Sequence, residues 1–325
     1  MVKISQILDL ALAMRILVND CCTVKEGENV LILGTTDRNR ELLDSVMAAT
    51  LATGANASMM ITNSWPRGVE PWKMVAEAMK GADLLINFAP LFNQQAVRDA
   101  QNAGCRIASV SRDVGFLKRG LIGVDYDEIS KLHTKIANVL EKGKNMRVTT
   151  EAGTDITMDI SGRSVVRGDG VVREPGEMQW LPGSQLNQAA IEESANGTLV
   201  FDWSLMPIGT VKTPVKLTIK EGRIVDFAGG EEADAYKKWM DSLNDQRMYW
   251  LCHYSFGLNP KYKLNPENES ESERVMGVVF FGFGSQLQTF KGKLGAAAAH
   301  SDCIMKNATV TIDGKILLKD NKFYV

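Results

Sequence analysis

The chain has 325 residues, 45% of them hydrophobic and 23% charged, with a net charge of −2 and a pI near 6.0. That is enough for one large or two medium domains with a core of normal size, and it lacks the basic surplus of a nucleic-acid binder. No apolar run reaches the roughly 18–20 residues that span a bilayer, so nothing points to a membrane.

The opening stretch, MVKISQILDLALAMRILVNDCC, is broken by Asp9, Arg15, Asn19 and Asp20, and reads as an amphipathic helix instead of a secretion signal. The cysteines are five (Cys21, Cys22, Cys105, Cys252, Cys303), an odd number without C-x-x-C spacing, as expected for reduced, buried thiols in a cytoplasmic protein.

From residue 29 short branched runs alternate with helical periodicity. NVLILG (29–34), ASMMITN (57–63), ADLLINFAP (82–90) and CRIASVS (105–111) read as strands. Segments 37–54, 70–81 and 93–104 between them read as helices, two closed by Gly54 and Gly104 and one carrying Pro71 near its first turn. A long amphipathic helix over 126–143 follows, with His133 placed on its exposed side. This order predicts an α/β fold whose N-terminal domain, residues 1–144, is a Rossmann-like parallel sheet. No G-x-G-x-x-G or Walker pattern follows its first strand, so that layer is read as a scaffold.

Past 144 the pattern turns strand-rich. NMRVTTEAGTDITMDISGR, GTLVFDWSL, VKLTIKEGRIVDFAGG and NATVTIDGKILLKDNKFYV alternate with period two around turns such as EGR and DGK. One helix over 231–250 interrupts them. Residues 145–325 are therefore expected to form a β-rich α+β domain, and this is the domain expected to bind metal. The polar run NPENESESER (265–274) reads as a solvated loop.

The chain has only three histidines. In LGAAAAHSDCIMKN, His300 follows four alanines and stands two residues before Asp302. On an extended strand both side chains point to one face. His253 lies in the apolar stretch MYWLCHYSFGLNP. Two imidazoles and a carboxylate form the facial triad of non-haem Fe(II) oxygenases, but they also suit zinc and manganese, and a hydrogen-bonded core histidine would look the same in sequence. Cys252 and Cys303 adjoin these residues and, by strict alternation, face away. Glu174 and Glu177 flank the Pro-Gly turn of VREPGEMQWLPGSQLN, where burial beside Trp180 and Leu181 would equip them as acid or base and solvation would not.

Taken together, these segments resemble the thermophilic aminopeptidase family of metallopeptidases. EPGEMQWLP is similar to that family's P-x-G-E-x-x-x-x-P loop, whose Glu matches Glu177 and binds metal there. FGLNP, GVVFFGFG and HSDCIMKNATVTIDGKILLKDNKF follow in the family's order. Two departures redirect the chemistry. The family's G-x-x-H histidine falls on Phe280, and its carboxylate before G-x-N-P falls on His253. The resemblance then implies a single metal held by His253, His300 and Asp302, the pattern of the 2,5-dihydroxypyridine 5,6-dioxygenase family.

That resemblance implies an Fe(2+) cofactor, a small aromatic N-heterocyclic substrate and O2, and ring opening between C5 and C6 to N-formylmaleamate. It also implies a homo-oligomer. Proton transfer would fall to Glu177, Glu174, a tyrosine such as Tyr254, or water, or to His133 if it reaches the pocket. Trp180, Trp250, Phe280 and Phe281 would wall a flat ring. The alternative is a metallo-aminopeptidase of the parent family.

Overall fold

A computed structural model of the chain describes residues 4–111 and 113–325. It divides into two compact units, Met1–Asp127 with Gly168–Gly183, and Glu128–Arg167 with Ser184–Val325. The expected boundary at 144 therefore moves in two ways. The helix Tyr126–Lys142 belongs almost wholly to the second unit, because Ile136, Ala137 and Leu140 pack into that unit's core with Met146 and Val148. The segment 168–183, read as part of the β-rich half, returns to the first.

The first unit is built on a five-stranded sheet, all of whose pairings are parallel. Its order is Asn56–Thr62, Asn29–Thr35, Leu84–Asn87, Arg106–Val110 and Met178–Leu181. The four expected strands are present. The fifth comes from the stretch read as an acidic loop. Helices Arg40–Leu51, Lys73–Lys80 and Gln95–Asn102 stand where their periodicity placed them. Asn39 caps the first by accepting the amide of Leu42. A helix over Val114–Leu121, capped by Asp113, was not legible in its glycine-containing sequence. The N-terminal helix Ile4–Ile16 is present and runs on into a π-helical turn, Leu17–Cys21. No described helix is long and apolar enough to cross a membrane.

The second unit holds two sheets, one of eight strands and one of seven. Their facing sides share one large apolar cluster, including Phe201, Tyr236, Tyr254, Phe256, Phe281 and Phe283. In the seven-stranded sheet the strands Gln185–Gln188, Leu251–Gly257, Val279–Gly284 and His300–Met305 lie side by side and antiparallel. One face of these strands is core. Alternation sends the other residues, among them His253, Ser255, Phe280, Gly282, Asp302 and Ile304, to the opposite face. The helix expected over 231–250 is shorter, Gly230–Ser242, and a 3₁₀ turn Gln246–Tyr249 feeds the His253 strand.

Candidate metal centre

The register of three strands brings the sequence-distant residues together. Gly282 lies opposite His253 on one side and opposite Asp302 on the other. Gly284, two residues on, lies opposite His300. The glycine in the middle strand is what leaves room. A β-carbon at Gly282 would come to 2.2 Å from His253 Nε2.

The donor atoms form a tight triangle. His253 Nε2 is 3.1 Å from His300 Nε2 and 3.1 Å from Asp302 Oδ1, and His300 Nε2 is 3.2 Å from Asp302. Three ligands meeting at right angles about 2.1–2.2 Å from one ion would stand about 3.0–3.1 Å apart. The triangle is one face of such a polyhedron.

The outer hydrogen bonds fix which nitrogen faces inward. Ser255 Oγ donates to Asn187 Oδ1 at 2.5 Å, so it accepts from His253 Nδ1, 3.0 Å away. His300 Nδ1 donates to the Ser285 carbonyl at 2.9 Å. Both Nε2 atoms therefore turn bare lone pairs on each other and on a carboxylate. Such an arrangement calls for a cation, and the donor set fits one metal ion. Without a metal a proton takes that place. Burial alone would lower the His300 imidazole, but the hydrogen bond to Asp302, followed by the contact with Cys252, holds it up at about 11. Burial raises Asp302, and the hydrogen bonds from His253 and His300 outweigh it, leaving the carboxyl well below its usual range.

Cys252 does not face away as strict alternation predicted. The pairing of Leu251–Gly257 with Val279–Gly284 shifts register between Leu251 and His253, a β-bulge that re-aims the extra residue. Cys252 Sγ lies 3.7 Å from His300 Nδ1. Cys252, His253 and His300 thus offer donor atoms within 4.8 Å of one another. The sulfur faces the nitrogen already committed to Ser285, whereas Asp302 faces the free one. Cys303 does point to the core, as expected.

Packing completes the surroundings of His253, which is 6% exposed. The Phe280 ring meets the imidazole edge-on at 5.9 Å, and Phe290 lies across it at 5.8 Å. Phe280 occupies the place where the peptidase resemblance expects a histidine, and it closes that side with carbon. Of the other expected walls, Phe281 belongs to the core cluster, Trp180 is exposed on its strand in the first unit, and Trp250 precedes the His253 strand beneath the Arg223 guanidinium.

The expected proton-transfer residues fall in both units. Tyr254, next to His253 on its strand, points to the core, and its hydroxyl donates to Gln188 Oε1. Burial pushes that phenol well above its ordinary range. Glu174 and Glu177 lie in the first unit. Glu177 accepts from the amides of Arg173 at 2.7 Å and Glu174 at 3.0 Å, and from Gln179 Nε2 at 3.0 Å. Glu174 is solvent-exposed. His133 is not on an exposed helix face as the periodicity suggested. It is fully buried, with neither ring nitrogen hydrogen-bonded, and burial, with Arg167 adding to it, lowers its imidazole to about 3.

Several residues of this centre carry no motif in sequence. Ser255, Asn187 and Ser285 become legible only when register pairs them with the imidazoles. The run 265–274, read as a solvated loop, contains the short helix Glu269–Ser272, with Glu271 and Ser272 buried. Two of its acids, Glu269 and Glu273, lie close enough to Asp302 to feel its charge.

Fold and donor set define a class: a two-unit α/β protein whose β-rich unit presents an open cluster of two imidazoles and a carboxylate. The chain belongs to the NicX family, 2,5-dihydroxypyridine 5,6-dioxygenase, whose pattern matches residues 14–325. Membership carries the enzyme class, and the chain is a dioxygenase. It is 24% identical over 255 residues to the 2,5-dihydroxypyridine 5,6-dioxygenase of Pseudomonas putida KT2440, covering 74% of this chain and 71% of that one. The solved structure of the 2,5-dihydroxypyridine dioxygenase from the same organism shares the fold, with a TM-score of 0.82 at 20% identity over 97% of both chains. Wild-type AmpT from Thermus thermophilus shares it more distantly, with a TM-score of 0.68 at 13% identity over 98% of this chain and 99% of that one.

Proposed function

We propose that the chain is a mononuclear Fe(II) dioxygenase that opens 2,5-dihydroxypyridine between C5 and C6 to give N-formylmaleamate. The observation that carries this reading is the triangle of His253 Nε2, His300 Nε2 and Asp302 Oδ1, with edges of 3.1–3.2 Å. These three residues would hold the iron, which when bound supplies the redox and Lewis-acid chemistry that lets O2 react with an aromatic ring.

The protein's own contribution is orientation and exclusion. Ser255 and the Ser285 carbonyl lock both imidazoles in the tautomer that offers Nε2. Phe280 and Phe290 keep water from the buried flank of His253. With three protein ligands on one side, the opposite side is left for the substrate and O2. The two ring hydroxyls make the pyridine electron-rich, so the substrate itself provides the electrons and no cosubstrate is required. Glu177 is the acid–base group that the peptidase resemblance implies, since its counterpart there binds metal. The homo-oligomeric assembly that the resemblance implies belongs to the same reading.

The deciding experiment is metal analysis of anaerobically purified protein, followed by O2 uptake with 2,5-dihydroxypyridine. One iron per chain and loss of substrate absorbance at one O2 per ring are expected. Labelling with ¹⁸O2 should place both atoms in the product, once exchange of the formyl oxygen is controlled. Two zinc ions per chain with peptide hydrolysis would return the chain to the aminopeptidases.

A further inference from the structure

The sheet face that carries His253 and Asp302 continues past them, and a partly buried carboxyl, that of Glu273, lies on it. Alternation places Gly257 on the same face as His253 and Ser255, and Gln185 pairs directly with Gly257. The chain crosses the sheet here: a β-carbon at Gly257 would come within 2.6 Å of the Glu273 carbonyl oxygen and 2.3 Å of that of Val275. Gln185 Nε2 donates to Glu273 Oε2 at 2.7 Å, and the Arg274 guanidinium stands 3.6 Å from the same oxygen. On the other side, Ser204 Oγ donates to Glu269 Oε1 at 2.6 Å, and Ser204 pairs with Ile304, two residues along the strand from Asp302. Phe280 and Ile304 form an apolar floor, covered in part by Leu264 and Val275.

We propose that Glu273 is the acid–base residue of this dioxygenase centre, lending a proton to the opening ring and recovering one from the substrate. The inference rests on the function proposed above and names the proton carrier that reaction needs. In that reaction both atoms of O2 are retained and the C5–C6 bond breaks. C5 becomes the carboxyl carbon, C6 the formyl carbon, and the C2 hydroxyl proton ends on nitrogen as an amide N–H. No proton is consumed, so a group that gives one must receive one from the substrate's hydroxyls.

The chain's histidines cannot serve. Two are in the cluster, and His133 is buried without a partner. Glu273 has the environment of a proton donor at neutral pH. Burial first, and then the charge of Asp302, push it up to about 8, with Glu269 adding to this and Arg274 and Gln185 opposing it. Burial raises Glu269 as well, and Ser204 holds it back.

The test is Glu273→Gln in the iron-loaded, full-length enzyme, assayed by O2 uptake with 2,5-dihydroxypyridine across pH. The amide can still accept from Gln185. We expect kcat to fall at least ~100-fold, while KM and iron per chain stay within about twofold. The alkaline limb of the wild-type pH profile should vanish. Glu273→Asp should restore part of kcat. Gln185→Leu, which removes a donor to the carboxylate, should move the alkaline limb to higher pH. A Glu273→Gln enzyme with wild-type kcat, or one that loses iron in parallel with activity, overturns the proposal while leaving the dioxygenase reading intact. A wild-type enzyme that does not turn over 2,5-dihydroxypyridine removes both.

Discussion

Gly282 and His253 are paired across two antiparallel strands, and the imidazole occupies the space a side chain at 282 would need. The phenylalanine-rich sequence FFGFG looks like core packing. Its glycine is instead the opening through which His253 meets Asp302. Gly282→Ala should therefore displace the ring more than it unfolds the sheet. We expect divalent-metal affinity to drop at least ~10-fold, with the thermal midpoint lowered by only a few degrees. Retention of wild-type metal affinity, measured by chelator competition, would contradict this role.

Ser255 connects His253 to Asn187, and its hydroxyl proton is committed to the amide oxygen. Replacing it with alanine leaves His253 Nδ1 without its acceptor and frees the ring to rotate or change tautomer. Ser255→Ala should weaken metal binding by about 10–100-fold, the usual effect of losing a hydrogen bond behind a ligand. Asn187→Ala should do less, because the serine can still accept. Equal metal affinity in Ser255→Ala and wild type would remove the tautomer argument.

His133 should dominate the acid limb of stability. Its folded pKa of about 3 lies below the ordinary imidazole value of 6.5, so between these values the unfolded chain binds a proton that the folded chain refuses. Stability is therefore fully present above pH 6.5 and declines as the pH falls toward 3, by at most ~1.4 kcal/mol per pH unit from this group. His133→Leu should flatten that slope in urea titrations at pH 4, 5 and 6. An unchanged slope would place the acid sensitivity elsewhere.

Glu177 offers a contrast with Glu273. Its carboxylate is held by two backbone amides and a glutamine. If it takes part in proton transfer, Glu177→Gln should lower turnover far more than iron content. A fully active Glu177→Gln enzyme would leave the proton chemistry to the second unit alone.

Much of this was legible in sequence, for identifiable reasons. The parallel sheet announced itself because four branched runs alternate with segments of helical periodicity, a signal carried locally by each segment. His300 and Asp302 were legible as a pair because two-residue spacing on a strand fixes a common face. His253, 47 residues earlier, joined them only through its place in the motifs of a resembling family. The fifth parallel strand, Met178–Leu181, was not legible, since its partner is 71 residues away and acids and Pro-Gly turns flank it in sequence.

Tertiary structure alone decided the rest. Alternation predicts where a side chain points only while the ladder is regular, and one bulge turned Cys252 toward His300. Amphipathic periodicity assigns a helix two faces, but burial of His133 depends on what covers the polar one. A run of serines and glutamates reads as solvated until packing buries Glu271 and Ser272 and leaves Glu273 only partly exposed. Local sequence fixes period and propensity. Register, bulges and desolvation arise from partners far along the chain, and these set the metal triangle and its surrounding acids.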